Sequence, residues 1–384
     1  MSLNESKPRK ICTFLPSYRI TREYEVLTGL YRYVRTTDTL TLGSHPGLAI
    51  HVEMDSLLKW SGDGVIGFFF RPERVTELLA RGIQVVNLTE SLAPLDLPVP
   101  VVVSDNEMIG RLVAAHLLER GFRRFAFIGV DELFSRRRLK GFEDALREKG
   151  ISESSIIKPT LEKYRGLSAQ SLAAQCEGIE RPFAVFAADD DLAARTLSAA
   201  LEIGIRVPKE MGIIGVNDLE LICDAAAVPL TSVAHAHSKI GFEAGRLIDQ
   251  LLQGQPVDRK IFRIPPLGVV PRVSTRTFAF DDPLVEEAMI FIYANIGRPF
   301  KVGDVVKHCG KSRKSLEVKF ANAVGSTMHD EIIRLRIDRA KQLLAGTYWT
   351  VGRIAEECGF GDSRTLKQAF VRIEGSTPES YRNE

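Results

Sequence analysis

Cysteine is scarce and scattered. Five residues, Cys12, Cys176, Cys223, Cys309 and Cys358, stand alone along 384 positions, and none belongs to a C-x-x-C pair. An odd, dispersed set speaks against a disulfide framework or a zinc site and fits a reducing cytoplasm. Long apolar runs are also missing. No stretch approaches the roughly 18 residues of a membrane-spanning helix, and the polar first ten residues hold no signal-peptide core. The expectation is a cytoplasmic chain with no membrane partner. G-x-S-x-G, H-E-x-x-H and G-x-x-x-x-G-K-[ST] do not occur, which argues against the corresponding hydrolase, metalloprotease and nucleotide-phosphate chemistries. One G-x-G-x-x-G is present, Gly62 to Gly67. Its last two glycines lie inside an apolar run, whereas a dinucleotide site needs them after a strand and at the start of a helix. No cofactor, metal or catalytic residue is expected.

What is present is ordinary in bulk and uneven in distribution. With 45% hydrophobic and 26% charged residues, the composition is that of a globular protein, long enough for two or three domains. Net charge is only +2, yet Arg298 to Arg372 carries 15 Lys/Arg against 8 Asp/Glu, which leaves the rest net negative. A basic end on an acidic body suits an anionic polymer. Over residues 10–276, apolar strand runs such as Gly64–Phe70, Phe183–Ala188 and Met211–Val216 alternate with amphipathic stretches such as Arg22–Val34, Arg138–Lys149 and Lys239–Gln253. That rhythm predicts a doubly wound α/β fold with parallel sheets, in two lobes because one sheet cannot absorb so much chain. Near 277–282 the pattern breaks, and residues 283–384 read as all helical.

The helical end repeats itself. Val302-Gly303, Cys309 and Gly310 recur 49 residues later as Val351-Gly352, Cys358 and Gly359; Leu316, Phe320 and Gly325-Ser326-Thr327 recur 50 residues later as Leu366, Phe370 and Gly375-Ser376-Thr377. The extra residue falls in the turn, where insertion is tolerated, so one helix-turn-helix is present twice. In the second copy Asp362 caps a helix with Leu366, Ala369, Phe370 and Ile373 on one apolar face. Arg364, Lys367, Gln368, Val371 and Arg372 occupy the other. Such a face suits the major groove, where Arg reads guanine and Gln adenine; the bland alternative is a solvated basic face. In the first copy Ser312 is the cap, and Arg313 and Lys314 begin the outer face. Between the copies Thr327–Leu344 reads as one helix, with Ile332, Leu335, Ala340 and Leu343 inward, holding the two readers for successive major grooves.

Ile354-Ala355, Cys358-Gly359-Phe360, Phe370, Gly375, Thr377-Pro378 and Tyr381-Arg382 stand at the spacing of the AraC/XylS-type DNA-binding signature, which this stretch resembles. Arg364-Thr365-Leu366 departs from the aromatic pair common there. Gly204–Asp218 and Val102–Gly129 resemble the LacI-type ligand-sensing domain, a likeness that covers roughly residues 10–275. The resemblance implies a bilobed fold similar to periplasmic sugar-binding proteins, with a ligand held between lobes. LacI-type regulators usually carry an N-terminal DNA-binding headpiece; here the expected reader is C-terminal.

In open α/β sheets ligands bind beyond the carboxyl ends of strands. Those ends bear Tyr18, Phe68, Asp105, Phe134, Arg136 and Arg138, Asp190, Asn217 and, near the crevice, His235. Carboxylates, amides and guanidinium groups suit vicinal hydroxyls, and an aromatic face suits a sugar's C–H face. By resemblance Asp190 and Asp105 fall on ligand acids, and Asn217 on a hydroxyl-binding position that is often Asp. Bland readings stand beside these. Asp189-Asp190-Asp191 suits a helix N-terminus, Arg136 to Arg138 a solvated run, and Phe68 to Phe70 core. His235-Ala236-His237 has strand-like ligand spacing, but two histidines make no metal site. The resulting expectation is a sugar-responsive, sequence-specific transcription regulator. It would be a homodimer on double-stranded operator DNA, with a monosaccharide effector, a pentose among the candidates. As an activator of a sugar catabolic operon it would engage RNA polymerase. The alternatives are a regulator with a non-sugar effector or none, a crevice enzyme, and a transport binding protein.

Overall fold

The computed structural model describes residues 8–15, 20–43, 57, 59–90, 98–157, 168–257, 261–276, 282–347 and 349–383. They form two compact units, the first from Met1–Asp105 and Ala236–Pro266, the second from Asn106–His235 and Leu267–Glu384.

The first unit is built on β1 (Arg9–Phe14), β2 (Leu40–Leu42), β3 (Gly64–Gly67), β4 (Gln84–Asn87), β5 (Val101–Ser104) and β11 (Ile261–Ile264). Their order is β11-β5-β4-β3-β1-β2, with every pairing parallel. Helices α1 (Ile20–Val34), α2 (Pro72–Ala80) and α8 (His237–Leu252) cover it. Helices α1 and α8 meet backbone to backbone: a Cβ on Gly241 would lie 1.9 Å from the Val26 carbonyl oxygen, so only glycine allows this crossing. Gly64 and Gly67 are buried within β3, as expected of strand glycines.

The second unit holds β6 (Phe125–Ile128), β7 (Ile156–Ile157), β8 (Phe183–Ala187), β9 (Met211–Asn217), β10 (Thr231–Ala234) and β12 (Gly268–Val270). The order is β12-β10-β9-β8-β6-β7, parallel except for the antiparallel edge strand β12. Helices α3 (Asn106–Glu119), α4 (Leu133–Glu148), α5 (Ala169–Glu177), α6 (Asp190–Glu202) and the short α7 (Glu220–Cys223) accompany it. All five residues of β8 are buried, because a parallel strand covered on both faces is apolar throughout. Helix α4 begins at Leu133, five residues before the expected start at Arg138, and this brings Phe134 and Arg138 onto one helix.

The helical end comprises α9 (Pro283–Asn295), α10 (Val302–Cys309), α11 (Arg313–Val324), α12 (Met328–Gly346), α13 (Val351–Glu357), α14 (Ser363–Glu374) and α15 (Pro378–Asn383). The duplication is realised in backbone as well as in sequence. Gly310 and Gly359 turn each copy at φ +60° and +70°, and Gly325 and Gly375 end α11 and α14 at +78° and +74°, conformations that glycine adopts without a Cβ penalty. Ser312 accepts the Ser315 N–H at 3.3 Å and Asp362 the Thr365 N–H at 2.7 Å, capping α11 and α14. Two cores result. Leu316 and Phe320 pack with Ile332, Leu335, Val285 and Val273. Leu366 and Phe370 pack with Ile333, Ile337, Ala340, Leu344 and Ile354. Helix α12 contributes to both and fixes one copy against the other. Leu344 is buried and Leu343 only half so, a shift of one position from the expected stripe. Of the expected boundary at 277–282, residues 277–281 lie outside the described residues, and Asp282 caps α9, accepting the Leu284 N–H at 3.0 Å.

Candidate effector site and DNA-reading surface

In the second unit, polar groups gather where β8, β9 and β10 end. Arg138 is at their centre, nearly buried. Its guanidinium lies 4.9 Å from the centroid of the Phe134 ring, one turn earlier on α4. Its Nε donates to Asn106 Oδ1 at 3.0 Å, Nη1 to the Ala188 carbonyl, and Nη2 meets His235 Nε2 at 3.0 Å. Arginine only donates, so His235 Nε2 accepts and its proton sits on Nδ1. The neighbouring arginines turn elsewhere, as helical spacing requires. Arg137 pairs with Glu107 at 3.0 Å. Arg136, expected to face the ligand, instead lies exposed and paired with Asp131.

Beyond β9 the chain makes a strained turn. Asn217 and Asp218 have φ of +121° and +54°, conformations costly for non-glycine residues and kept only where surroundings enforce them. The enforcing contacts are explicit. Asp190 Oδ2 accepts the Leu219 N–H at 2.8 Å, Ser232 Oγ donates to Asp190 Oδ1 at 2.6 Å and accepts the Asp218 N–H at 3.0 Å. Arg272 Nη1 donates to Asp218 Oδ1 at 2.8 Å. Asn217 Nδ2 is buried and has no partner among the described residues. A buried donor left open costs about 1–3 kcal/mol and is what a hydroxyl-bearing ligand would satisfy.

Asp190 stands behind this turn. It is fully buried and both of its oxygens are engaged, so its place is that of a support for Asn217 rather than an open acid. Asp189 caps α6, accepting the Leu192 N–H at 2.9 Å, which realises the helix-terminus reading of the acidic run. Burial pushes the Asp190 carboxyl up to about 6, against the opposing hydrogen bonds of Ser232 and Leu219. A folded-state value above the ordinary 3.8 means that the fold binds this proton more tightly than the unfolded chain does. Asp190 therefore favours folding most at low pH, and that contribution is lost as pH rises from about 4 to about 6. An asparagine side chain at this position cannot titrate, so the stability of the parent relative to Asp190→Asn should increase as pH falls from about 7 to about 5. Thermal melts of both proteins across that range check this; a pH-independent difference would contradict it.

The remaining expected contacts are placed unevenly. Phe68 packs in the first unit's core with Leu15, Val86 and Leu88, and Phe70 is the exposed ring of its run. Two positions apart, these rings would share a face of a regular strand; β3 ends at Gly67, so the run is no longer a strand and its last ring turns out. Asp105 is half-buried, its backbone N–H donating to the Ile264 carbonyl at 2.9 Å. Tyr18 lies outside the described residues. His235 and His237 do not share a strand: β10 ends at Ala234 and His237 opens α8, with its Nδ1 3.3 Å from Glu25 Oε2. No cluster of three potential metal ligands occurs among the described residues, and no helix there is long and apolar enough to cross a membrane. Asn106 and Arg272 escape a reading of the sequence. Nothing local marks either; their roles come from strands and helices far apart in sequence.

The helical end presents the expected basic faces. Lys314, Arg364, Gln368 and Arg372 are exposed; Arg313 is exposed and joined to Glu317 at 2.8 Å, and Lys367 to Glu379. Leu366 and Phe370 point inward, but Ile373 is 39% exposed and does not belong to the packed seam. Val318 and Val371 are exposed among these charges, apolar groups of the kind that meet thymine methyls in a major groove.

A sensor-type α/β fold carrying a polar cluster at its strand ends, joined to two helix-turn-helix units, defines a transcription regulator that binds DNA and a small-molecule effector. Residues 114–275 match the periplasmic binding protein-like domain, and residues 305–384 a helix-turn-helix domain. The chain is similar to the xylose operon regulatory protein of Escherichia coli (strain K12), 29% identical over 346 residues, 86% of each chain. It is similarly related to the xylose operon regulatory protein of Haemophilus influenzae, 29% identical over 335 residues, 85% of this chain and 87% of that one. In fold it resembles a solved xylose-binding transcription activator, with TM-score 0.61, 24% identity and 98% of each chain covered. A transcriptional regulator solved with cellobiose gives TM-score 0.54 at 21% identity, over 70% of this chain and 86% of that one.

Proposed function

We propose that this chain is a sugar-responsive regulator whose effector is a monosaccharide, with pentoses first and D-xylose the first to try. The observation that carries the reading is the buried, unsatisfied Asn217 amide on the strand end paired with Ala234, next to His235, which Arg138 and in turn the Phe134 ring adjoin: an unsatisfied donor, a fixed acceptor-donor set and an aromatic face. The names of the regulators similar over most of the chain point the same way. Asn217, Arg138, His235 and Phe134 are the direct or near-direct contacts, with Asn106 and Asp190 supporting them. The chain works as a cytoplasmic homodimer on an operator, and as an activator it meets RNA polymerase. Calorimetry with D-xylose, L-arabinose and D-ribose tests the effector. Binding of one of them, lost in Asn217→Ala, supports the reading; no binding by any pentose contradicts it.

The reading surface has its own test. Arg364→Ala should cost about 1–3 kcal/mol on the preferred operator and relax base preference at one position, if the contact is bidentate to guanine. An equal loss on all sequences would make Arg364 a phosphate contact instead. Anisotropy titrations on operator and scrambled DNA distinguish the two.

A further inference from the structure

The turn that carries Asn217 and the helices that support the DNA readers are touched by one short segment, residues 269–276. At its middle, Arg272 is buried with its guanidinium shared among three acceptors. Nη1 donates to Asp218 Oδ1 and to the Leu230 carbonyl at 2.8 and 3.0 Å, and Nε to Asp224 Oδ1 at 2.6 Å. The backbone on either side is fastened to the sheet. Arg272 N donates to Thr231 Oγ1 at 2.8 Å, and Ser274 Oγ to the Ile213 carbonyl at 2.5 Å. The same segment engages the helical end. Val273 is buried in the core formed by Val285, Met289, Ile292 and Phe320. The Arg276 guanidinium lies 3.1 Å from the Tyr293 ring centroid on α9, and the Val269 carbonyl accepts from Gln342 Nε2 of α12 at 2.5 Å. A cavity of about 40 Å³, bordered by Asp224, Arg272, Tyr293, Asp338 and Gln342, leaves the junction less than fully packed.

We propose that Arg272 is a positioning residue that couples the effector site to the DNA reader. It ties the strained Asn217–Asp218 turn to the segment that seats α9 and α12. This rests on the effector reading of the Asn217 site. When a ligand hydroxyl engages Asn217 the turn gains a partner, and Asp218, one residue on, transmits any change of its backbone to Arg272. The segment is bonded on both sides, so it responds as one piece, and the cavity gives it room to move.

Asp218→Gly is the cleanest cut. It deletes the carboxylate that holds Arg272, and glycine adopts the native positive φ without strain. Hydrogen–deuterium exchange on the full-length protein, without effector or DNA, should show several-fold faster exchange at residues 269–276 and in α9. With D-xylose as probe, the parent's operator affinity should shift at least about fivefold and the variant's less than twofold. Arg272→Lys keeps the charge but loses the planar fork, and should reproduce both results; it carries the test if Asp218→Gly does not fold. Exchange changes confined to residues 217–224, or a xylose response equal to the parent's, would overturn the proposal. A parent that ignores xylose excludes D-xylose as the effector and moves the test to the pentose that binds, and the exchange result still decides the coupling.

Discussion

Replacing Arg138 with methionine should reduce effector affinity by about 100-fold or more and lower the melting midpoint in the same protein. The side chain is buried and serves Asn106 Oδ1, the Ala188 carbonyl and His235 Nε2 at once. Methionine fills much of the volume and offers no donor, so three acceptors lose their partner together. Each buried unsatisfied group costs about 1–3 kcal/mol, which places the stability loss at roughly 3 kcal/mol even at the lower end. His235 then loses the donor that fixes Nε2 as its acceptor, and Phe134 loses the cation over its ring. Arg138→Lys keeps a charge but cannot reach three acceptors in one plane, so it should fall between parent and methionine. Calorimetry with the best-binding pentose and a thermal melt read both effects. An affinity within threefold of the parent, with an unchanged midpoint, would remove Arg138 from the site.

Phe370→Ala should destabilise the second helix-turn-helix by about 3–5 kcal/mol, the usual cost of emptying a buried aromatic position. Phe370 is fully buried, meets Tyr381 edge-on with centroids 5.6 Å apart, and shares its core with Ile337, Leu344, Ile354 and Leu366. None of those residues belongs to the sensor, so specific DNA binding should collapse while effector affinity stays within about twofold. Phe320→Ala removes the matching ring from the first copy, but that core includes Val273. It should therefore reach the 269–276 segment and disturb the effector response as well. Equal behaviour of the two variants in calorimetry and DNA titration would contradict the two-core organisation.

The two copies of the reader are legible in the sequence because a repeat supplies its own control: caps, turn glycines and inward rings recur at matched spacing and share one structural cause. The sheets are legible from apolar runs alone, and only short strands such as β2 and β10 escape. Site residues are harder for a definite reason. Arg136, Arg137 and Arg138 are alike in sequence, and only the early start of α4 at Leu133 decides that Arg138 turns in. Phe68 and Phe70 would share one face of a strand, and only the end of β3 at Gly67 leaves the second of them outward; Ile373 sits where its helix outruns the core. Asp190 stands out from its position after an apolar strand, but whether it meets ligand or supports Asn217 depends on Ser232 and Leu219, far off in sequence. Arg272 and Asn106 carry no local signal, because their partners come from other strands and helices.

The most direct test is one titration in four arms: full-length protein against its upstream DNA and against scrambled DNA, each with and without saturating D-xylose. The parent should bind its own DNA with an affinity that changes by about 5–150-fold on adding the sugar, and scrambled DNA with an affinity that does not. In Asn217→Ala the sugar should change neither. A sugar effect of equal size on both DNAs, or one that survives intact in Asn217→Ala, would contradict the account.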